Sequence, residues 1–138
     1  MTAKVHRMIK IVRKYARKYP ISTVFIAIVW FLSLVPFFPE TPLDGVPFID
    51  KWTHLFMYGS MCLAIWGEYW WKHRQPDYKR LFVWAWVMPI VMSGALELIQ
   101  EYATATRQGE WNDLTANATG VTIGAVIGIL LIAYFPRR

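Results

Sequence analysis

The sequence has few charged residues and a single cysteine, and both shortages restrict the class of protein. Only 17% of its 138 residues are Asp, Glu, Lys or Arg, whereas 56% are hydrophobic and 17% are aromatic. A soluble domain of this length has too little interior to bury so many apolar side chains. Cys62 has no second cysteine to pair with, which excludes an intramolecular disulfide, and we interpret it as a small core residue.

The hydrophobic residues are concentrated in four blocks. We predict helices over these blocks, at about residues 21–38, 50–71, 80–103 and 113–135. Each block is about long enough to cross roughly 30 Å of hydrocarbon, where a chain must satisfy its backbone hydrogen bonds internally. No small-x-small cleavage site follows the first block, so we interpret it as a retained anchor. The predicted fold is all-α, a polytopic membrane protein with a four-transmembrane-helix bundle over residues 21–138.

The basic residues predict an orientation. All but two of the fifteen Lys and Arg residues lie in segments 1–20 and 72–80 or at the C-terminus, and the exceptions are Lys51 and Arg107. In a four-span chain these segments share one side, which the positive-inside rule makes cytoplasmic, together with both termini. This distribution argues against nucleic acid as the partner, despite a formal net charge of +6. Residues 1–20 place apolar side chains at helical spacing among Lys and Arg, which predicts a basic amphipathic helix on anionic lipid.

Polar residues interrupt the blocks on the opposite, non-cytoplasmic side. In the second block a spacing of four places Asp50, His54 and Tyr58 on one stripe. The third block ends in Glu97 and Gln100, and the fourth begins near Asp113. The candidate site residues are Asp50, Lys51, His54, Tyr58, Glu97, Gln100, Arg107, Asp113 and Asn117.

A glycine stripe orients two of these residues. Gly120, Gly124 and Gly128 recur at a spacing of four, and glycines at this spacing let a neighbouring helix approach closely. Asp113 and Asn117 continue the same stripe toward the start of the helix. We therefore expect both side chains to face the interior of the bundle.

Structural explanations compete with a functional one. Asp113 or Asn112 could cap the fourth helix, and Asp50 the second. Asn117 could serve only as a hydrogen bond between helices. A local pair with Lys72, four residues later, would explain Glu68 fully.

His54 and Glu97 are harder to explain in this way. An ionisable group within hydrocarbon costs several kcal/mol unless it is paired, which makes such residues candidates for function. Because His54 and Glu97 share one side with Asp113 and Arg107, their grouping favours a site.

The order and spacing of these polar residues resemble the VanZ-like family of bacterial membrane proteins. The similarity covers about residues 46–130, and its motifs are Asp50-Lys51-x-x-His54-x-x-x-Tyr58, Glu97-x-x-Gln100, Arg107 and Asp113-x-x-x-Asn117-x-x-Gly120. It implies a bacterial cytoplasmic membrane and a cell-envelope context, since the family is linked to resistance to the lipidated glycopeptide teicoplanin. It does not imply a reaction. Family members often have small residues in the loop around Glu110, where we expect contacts to differ.

The first functional hypothesis is binding of an amphiphile in the outer leaflet. Lys51 and Arg107 would hold a phosphate or carboxylate head group, and the predicted partners are membrane lipids, a lipid-linked wall precursor, a polyprenyl phosphate or a lipoglycopeptide. The predicted substrate-binding residues are Asp50, Lys51, Tyr58, Gln100, Arg107 and Asn117.

A hydrolase or transferase is the second hypothesis, with His54, Glu97 and Asp113 as catalytic residues. His54 would act as general base, and Arg107 would stabilise an anionic transition state. No nucleophile is clearly placed, since Thr53 and Thr115 are near but not distinctive, and water activation stays open.

Two further possibilities concern metal and structure. One histidine with scattered carboxylates is a weak metal signature, so we expect neither a metal nor another cofactor. In a third reading, His54–Glu97 and Arg107–Asp113 are ordinary buried ion pairs in an adaptor for another membrane protein. No inverted repeat is visible that would indicate a transporter.

Overall fold

The computed structural model describes residues 2–35, 40–103 and 109–137, and its regular structure over these ranges is helical. Within them lie six α-helices: α1 (Ala3–Lys18), α2 (Pro20–Leu34), α3 (Ile49–Lys72), α4 (Tyr78–Phe82), α5 (Met88–Ala103) and α6 (Trp111–Tyr134). A π-helical segment, Val83–Val87, joins α4 to α5, so that Tyr78–Ala103 forms one helix of 26 residues. The predicted all-α class is confirmed for the described residues. Residues 36–38 of the first predicted helix lie outside them.

Two helices of the described chain are long and apolar enough to cross a membrane, Tyr78–Ala103 and Trp111–Tyr134. A third span is obtained if α1 and α2, which are bent by 113° relative to each other, are counted as one segment. Taken alone, α2 has 15 residues, whereas a full span needs about 20. α3 has 24 residues but carries acidic and basic side chains near both ends. The helices are therefore consistent with a membrane protein. By length and composition the described helices give two or three spans, and the predicted fourth span is not shown.

α3 and α6 run parallel and pack against each other along the glycine stripe. A Cβ atom on Gly120 would collide with the backbone carbonyl of Leu55. One on Gly124 would lie 2.9 Å from the Cβ of Cys62, and Gly128 leaves the corresponding space for the side chain of Trp66. The glycines thus allow the two backbones to approach at a distance that larger side chains would prevent.

Pro89 accounts for the irregular turn between α4 and α5. Proline has no N–H to donate to the carbonyl four residues earlier, which is that of Ala85 in the π-helical segment. The thiol of Cys62, fully buried in α3, lies 3.2 Å from this carbonyl and 3.2 Å from that of Val121 in α6, and it can donate its one proton to either. Cys62 is thus a small core residue, and it also joins α3 to the helix that contains Pro89.

Glu68, buried near the end of α3, accepts hydrogen bonds from the first turn of α2. Its Oε2 accepts hydrogen bonds from the backbone N–H of Ser22 at 2.8 Å and from the Ser22 hydroxyl at 2.7 Å. Its Oε1 accepts from the N–H of Ile21 at 3.2 Å, whereas Lys72 lies 3.8 Å away. The prediction that Lys72 explains Glu68 fully was wrong. Because the first N–H groups of a helix lack partners within it, a carboxylate from α3 caps α2 instead.

We expect Glu68→Ala to loosen the start of α2, because the change leaves the buried N–H of Ser22 and the part-buried N–H of Ile21 without an acceptor. The expected loss of stability is about 1–3 kcal/mol. Amide hydrogen exchange in detergent micelles should show faster exchange at Ile21 and Ser22. Lys72→Gln is the matched control, since its long contact contributes little. Unchanged exchange at both amides in Glu68→Ala would contradict this account.

α1 occupies most of the predicted segment 1–20. None of its described residues is buried, and its exposed apolar side chains include Val5, Met8, Ile9 and Val12. Among the residues that the structure describes, no protein surface covers this apolar stripe. Its placement on a lipid surface stays a prediction.

Candidate functional site

Polar side chains from α3, α5 and α6 meet at the end of the bundle where α3 and α6 begin. We call this group the polar cluster. Its members are Asp50, Lys51, His54, Ser93, Glu97, Glu110, Asp113 and Asn117.

Lys51, in the first turn of α3, binds three carboxylates. Its Nζ lies 2.7 Å from Oδ2 of Asp50 and 2.5 Å from Oε2 of Glu110, and it also contacts Oδ1 of Asp113. The Asp113 side chain is almost fully buried, whereas the other two carboxylates are more than half exposed. Lys51 therefore offsets the charge that α6 brings into the bundle. The predicted contact between Lys51 and an anionic head group would have to displace one of these carboxylates.

His54, one turn further along α3, lies between two residues of α6. Its Nδ1 is 3.0 Å from Oδ1 of Asn117, and its Nε2 is 3.4 Å from Oδ2 of Asp113. Asn117 donates through Nδ2 to Oγ of Ser93 at 2.7 Å, so its carbonyl oxygen faces His54 and accepts the proton on Nδ1. In that tautomer Nε2 and the Asp113 carboxylate are both acceptors. They attract each other only when a proton or a cation lies between them.

Glu97 completes the buried part of the polar cluster. Its Oε2 accepts a hydrogen bond from the backbone N–H of Glu110 at 3.0 Å, which joins α5 to the residue before α6. One potential ligand atom each from His54, Glu97 and Asp113 lies within 4.8 Å of the others. An imidazole nitrogen with two carboxylate oxygens is a donor set that a divalent ion such as Zn²⁺ can use. The three donors are scattered along the sequence, and the fold brings them together.

Tyr58 and Gln100 lie deeper, beside α2. The hydroxyl of Tyr58 lies close to the side chains of Ser93 and Ser33. Gln100 donates through Nε2 to the backbone carbonyl of Ser33 at 2.6 Å. Both predicted binding residues are buried and connect α2 to the bundle.

Sequence reasoning missed two members of the polar cluster. Ser93 precedes Glu97 by four residues, so helical spacing could have placed both on one face of α5. Glu110 is separated from Lys51 by 59 positions, and no local pattern predicts a contact at that distance. Both residues hold other members of the cluster in position.

The predicted helix caps are not found. α3 is preceded by Phe48 and α6 by Glu110, and neither residue caps its helix through its side chain. Asp50, Asn112 and Asp113 therefore lie inside the first turns. For Asp113 this means that its carboxylate is directed to Lys51 and His54 on the neighbouring helix rather than to its own backbone.

The hydroxyl groups considered as nucleophiles are differently placed. Thr53 donates to the carbonyl of Ile49, and Thr115 to that of Trp111, each one turn earlier in its own helix and exposed. Ser93 is in the polar cluster, but its oxygen accepts the hydrogen bond of Asn117. Arg107 and its predicted pair with Asp113 lie outside the described residues.

Comparison of this chain with models of known protein families, with curated proteins and with solved structures finds no match. The resemblance to the VanZ-like family stays a prediction that depends on the order and spacing of the polar residues.

Proposed function

We propose that this chain is a VanZ-like integral membrane protein of the bacterial cytoplasmic membrane. Its four spans would be α2, α3, Tyr78–Ala103 and α6, with both termini cytoplasmic, α1 on the inner leaflet and the polar cluster facing outward. Exposed tryptophans near both ends of the bundle support membrane insertion, because tryptophan favours the two interfaces. They are Trp52 and Trp111 at one end and Trp71 and Trp84 at the other.

The proposed function is binding of the anionic head of a lipid-linked or lipidated amphiphile, such as a wall precursor, a polyprenyl phosphate or a lipoglycopeptide. The carrying observation is that buried ionisable side chains from α3, α5 and α6 converge at one end of an apolar bundle. A helix that served only as an anchor would gain nothing from such costly groups. In this proposal Arg107 binds the anionic group, and Lys51 holds Asp113 in place.

A polyprenyl phosphate in vesicles is a direct probe of this function. Native mass spectrometry of the full-length protein in mild detergent should show the lipid bound to the wild type and lost in Arg107→Gln. Arg80→Gln is the matched control, because this arginine is paired with Asp77 in a different part of the chain. Absence of a lipid adduct in the wild type, or equal retention by Arg107→Gln, would contradict binding of the anionic head by Arg107 at the polar cluster.

A second candidate function, hydrolysis of such a lipid, is favoured by the position of His54. Its Nδ1 is fixed by Asn117, so that Nε2 is available to take up or release a proton beside Asp113. For a polyprenyl diphosphate, Nε2 would accept a proton from water as the water oxygen bonds to the terminal phosphorus. The bond from that phosphorus to the bridging oxygen would break, and protonated Glu97 would donate a proton to the leaving oxygen.

Release of phosphate from polyprenyl diphosphate tests this second function. We expect His54→Gln and Asp113→Asn to lower the rate about 100-fold or more, as for loss of a general acid or base, while lipid binding persists. Glu101→Gln is the control, because Glu101 accepts from the N–H of Gly109 and is exposed. Lipid binding without phosphate release in the wild type would exclude hydrolysis and retain the binding function.

A further inference from the structure

A cavity of about 210 Å³ lies at the opposite end of the bundle from the polar cluster, where α3 and α6 end. Its lining includes Arg74 and Arg137, the aromatic rings of Tyr69, Trp70 and Tyr78, and His73. Neither the proposed binding function nor the proposed hydrolysis uses any of these residues.

Contacts between α3 and the chain after α6 build one wall of the cavity. Trp70 donates through Nε1 to the backbone carbonyl of Phe135 at 2.8 Å, which ties the two helix ends together. The guanidinium of Arg137 lies 5.8 Å from the ring centroid of Trp70 and 5.0 Å from that of Trp71. Stacking on aromatic rings reduces the freedom of the arginine side chain and keeps its N–H groups available for an anion.

Tyr69 and His73 form a second, ordered wall. Their rings are stacked with a centroid distance of 4.1 Å, and Nδ1 of His73 lies 3.0 Å from the Tyr69 carbonyl. The hydroxyl of Tyr69 accepts the backbone N–H of Asp77 at 3.0 Å. Because a phenol can accept one hydrogen bond and still donate another, Tyr69 retains a proton for a ligand.

The positive charges that line the cavity favour binding of an anion. Its lining residues include two arginines, and no Asp or Glu is among the described residues that form it. The nearby carboxylate of Asp77 is occupied, since it accepts from the backbone N–H of Arg80 at 3.0 Å and lies 3.7 Å from Nε of Arg80. Two guanidinium groups and a phenol provide donors for a phosphate, and the apolar lining suits the start of an acyl chain.

We infer that this cavity binds the phosphate of an anionic phospholipid head group at the inner leaflet. Basic pockets between transmembrane helices on the cytoplasmic side commonly bind such lipids. The inference requires α3 and α6 to end at the membrane surface, and it does not depend on any activity of the polar cluster.

Retention of phosphatidylglycerol by the full-length protein tests the inference. The protein would be placed in nanodiscs of phosphatidylcholine with increasing phosphatidylglycerol, and the bound lipid measured by native mass spectrometry after mild extraction. We expect about tenfold weaker retention in Arg74→Gln and in Arg137→Gln, the effect of losing a charge-assisted hydrogen bond. Arg80→Gln in α4 also removes one arginine charge, but Arg80 does not line the cavity, so this variant should retain the lipid. Equal losses in all three variants would reduce the effect to general surface charge and overturn the inference.

Two further measurements complete the test. Thermal unfolding without phosphatidylglycerol should be the same for all three variants, because these arginines are exposed; a lower midpoint in the cavity variants alone would assign them a structural role and overturn the inference. Inorganic phosphate and glycerol phosphate in millimolar excess should displace little phosphatidylglycerol. Complete displacement by either would identify the ligand as a free phosphate compound instead of a lipid.

Discussion

Gly120→Ala is expected to force α3 and α6 apart and to lower the free energy of unfolding by about 3 kcal/mol or more, at the upper end of the cost of overpacking. The added methyl group would collide with the backbone carbonyl of Leu55. A flexible side chain could rotate away from such a contact, but a helix backbone can relieve it only by moving. Because the polar cluster contains residues of both helices, its distances would change as well.

Gly67→Ala is the matched control, because a Cβ atom at this position of α3 meets nothing within 4 Å. Alanine is the better helix former, by about 1 kcal/mol in an exposed helix. The same substitution should therefore leave stability unchanged or raise it slightly. Unfolding in a detergent titration measures both variants, and equal stability of Gly120→Ala and the wild type would disprove close packing along the glycine stripe.

Asp113→Asn is expected to cost about 3 kcal/mol, at the lower end for breaking a buried ion pair. The change removes one carboxylate from Lys51 and replaces the carboxylate beside Nε2 of His54 with an amide. Lys51 keeps two exposed carboxylates, which is why we expect the lower end. The ring nitrogen chemical shifts of His54 should also change, because Nε2 no longer faces a carboxylate.

The double variant Lys51→Met, Asp113→Leu separates structure from function. Apolar residues in place of a buried pair often restore stability, because neither charge is left without a partner. We expect the double variant to recover most of the lost stability while phosphate release remains absent. A variant that is both stable and fully functional would show that the pair serves packing alone.

Helical spacing predicted some side-chain positions correctly and one side-chain partner wrongly. Helical spacing placed Asp113 and Asn117 on the glycine stripe, and both are buried where α6 meets α3. The same reasoning paired Glu68 with Lys72, because it considers only neighbours on one helix. The actual acceptor role of Glu68 joins α3 to Ser22, 46 positions away.

The sequence by itself determined the all-helical class, the uneven distribution of basic residues and the small-residue face of α6. The apolar blocks and the basic segments follow from composition along the chain, and the glycines of α6 recur at a spacing of four, so these properties can be read without knowing which helices are neighbours. Only the tertiary structure decided that Lys51 meets three carboxylates, that Ser93 supports Asn117 and that two arginines share a cavity with aromatic rings. Such contacts depend on the rotation and separation of whole helices, which are set by packing over the entire bundle.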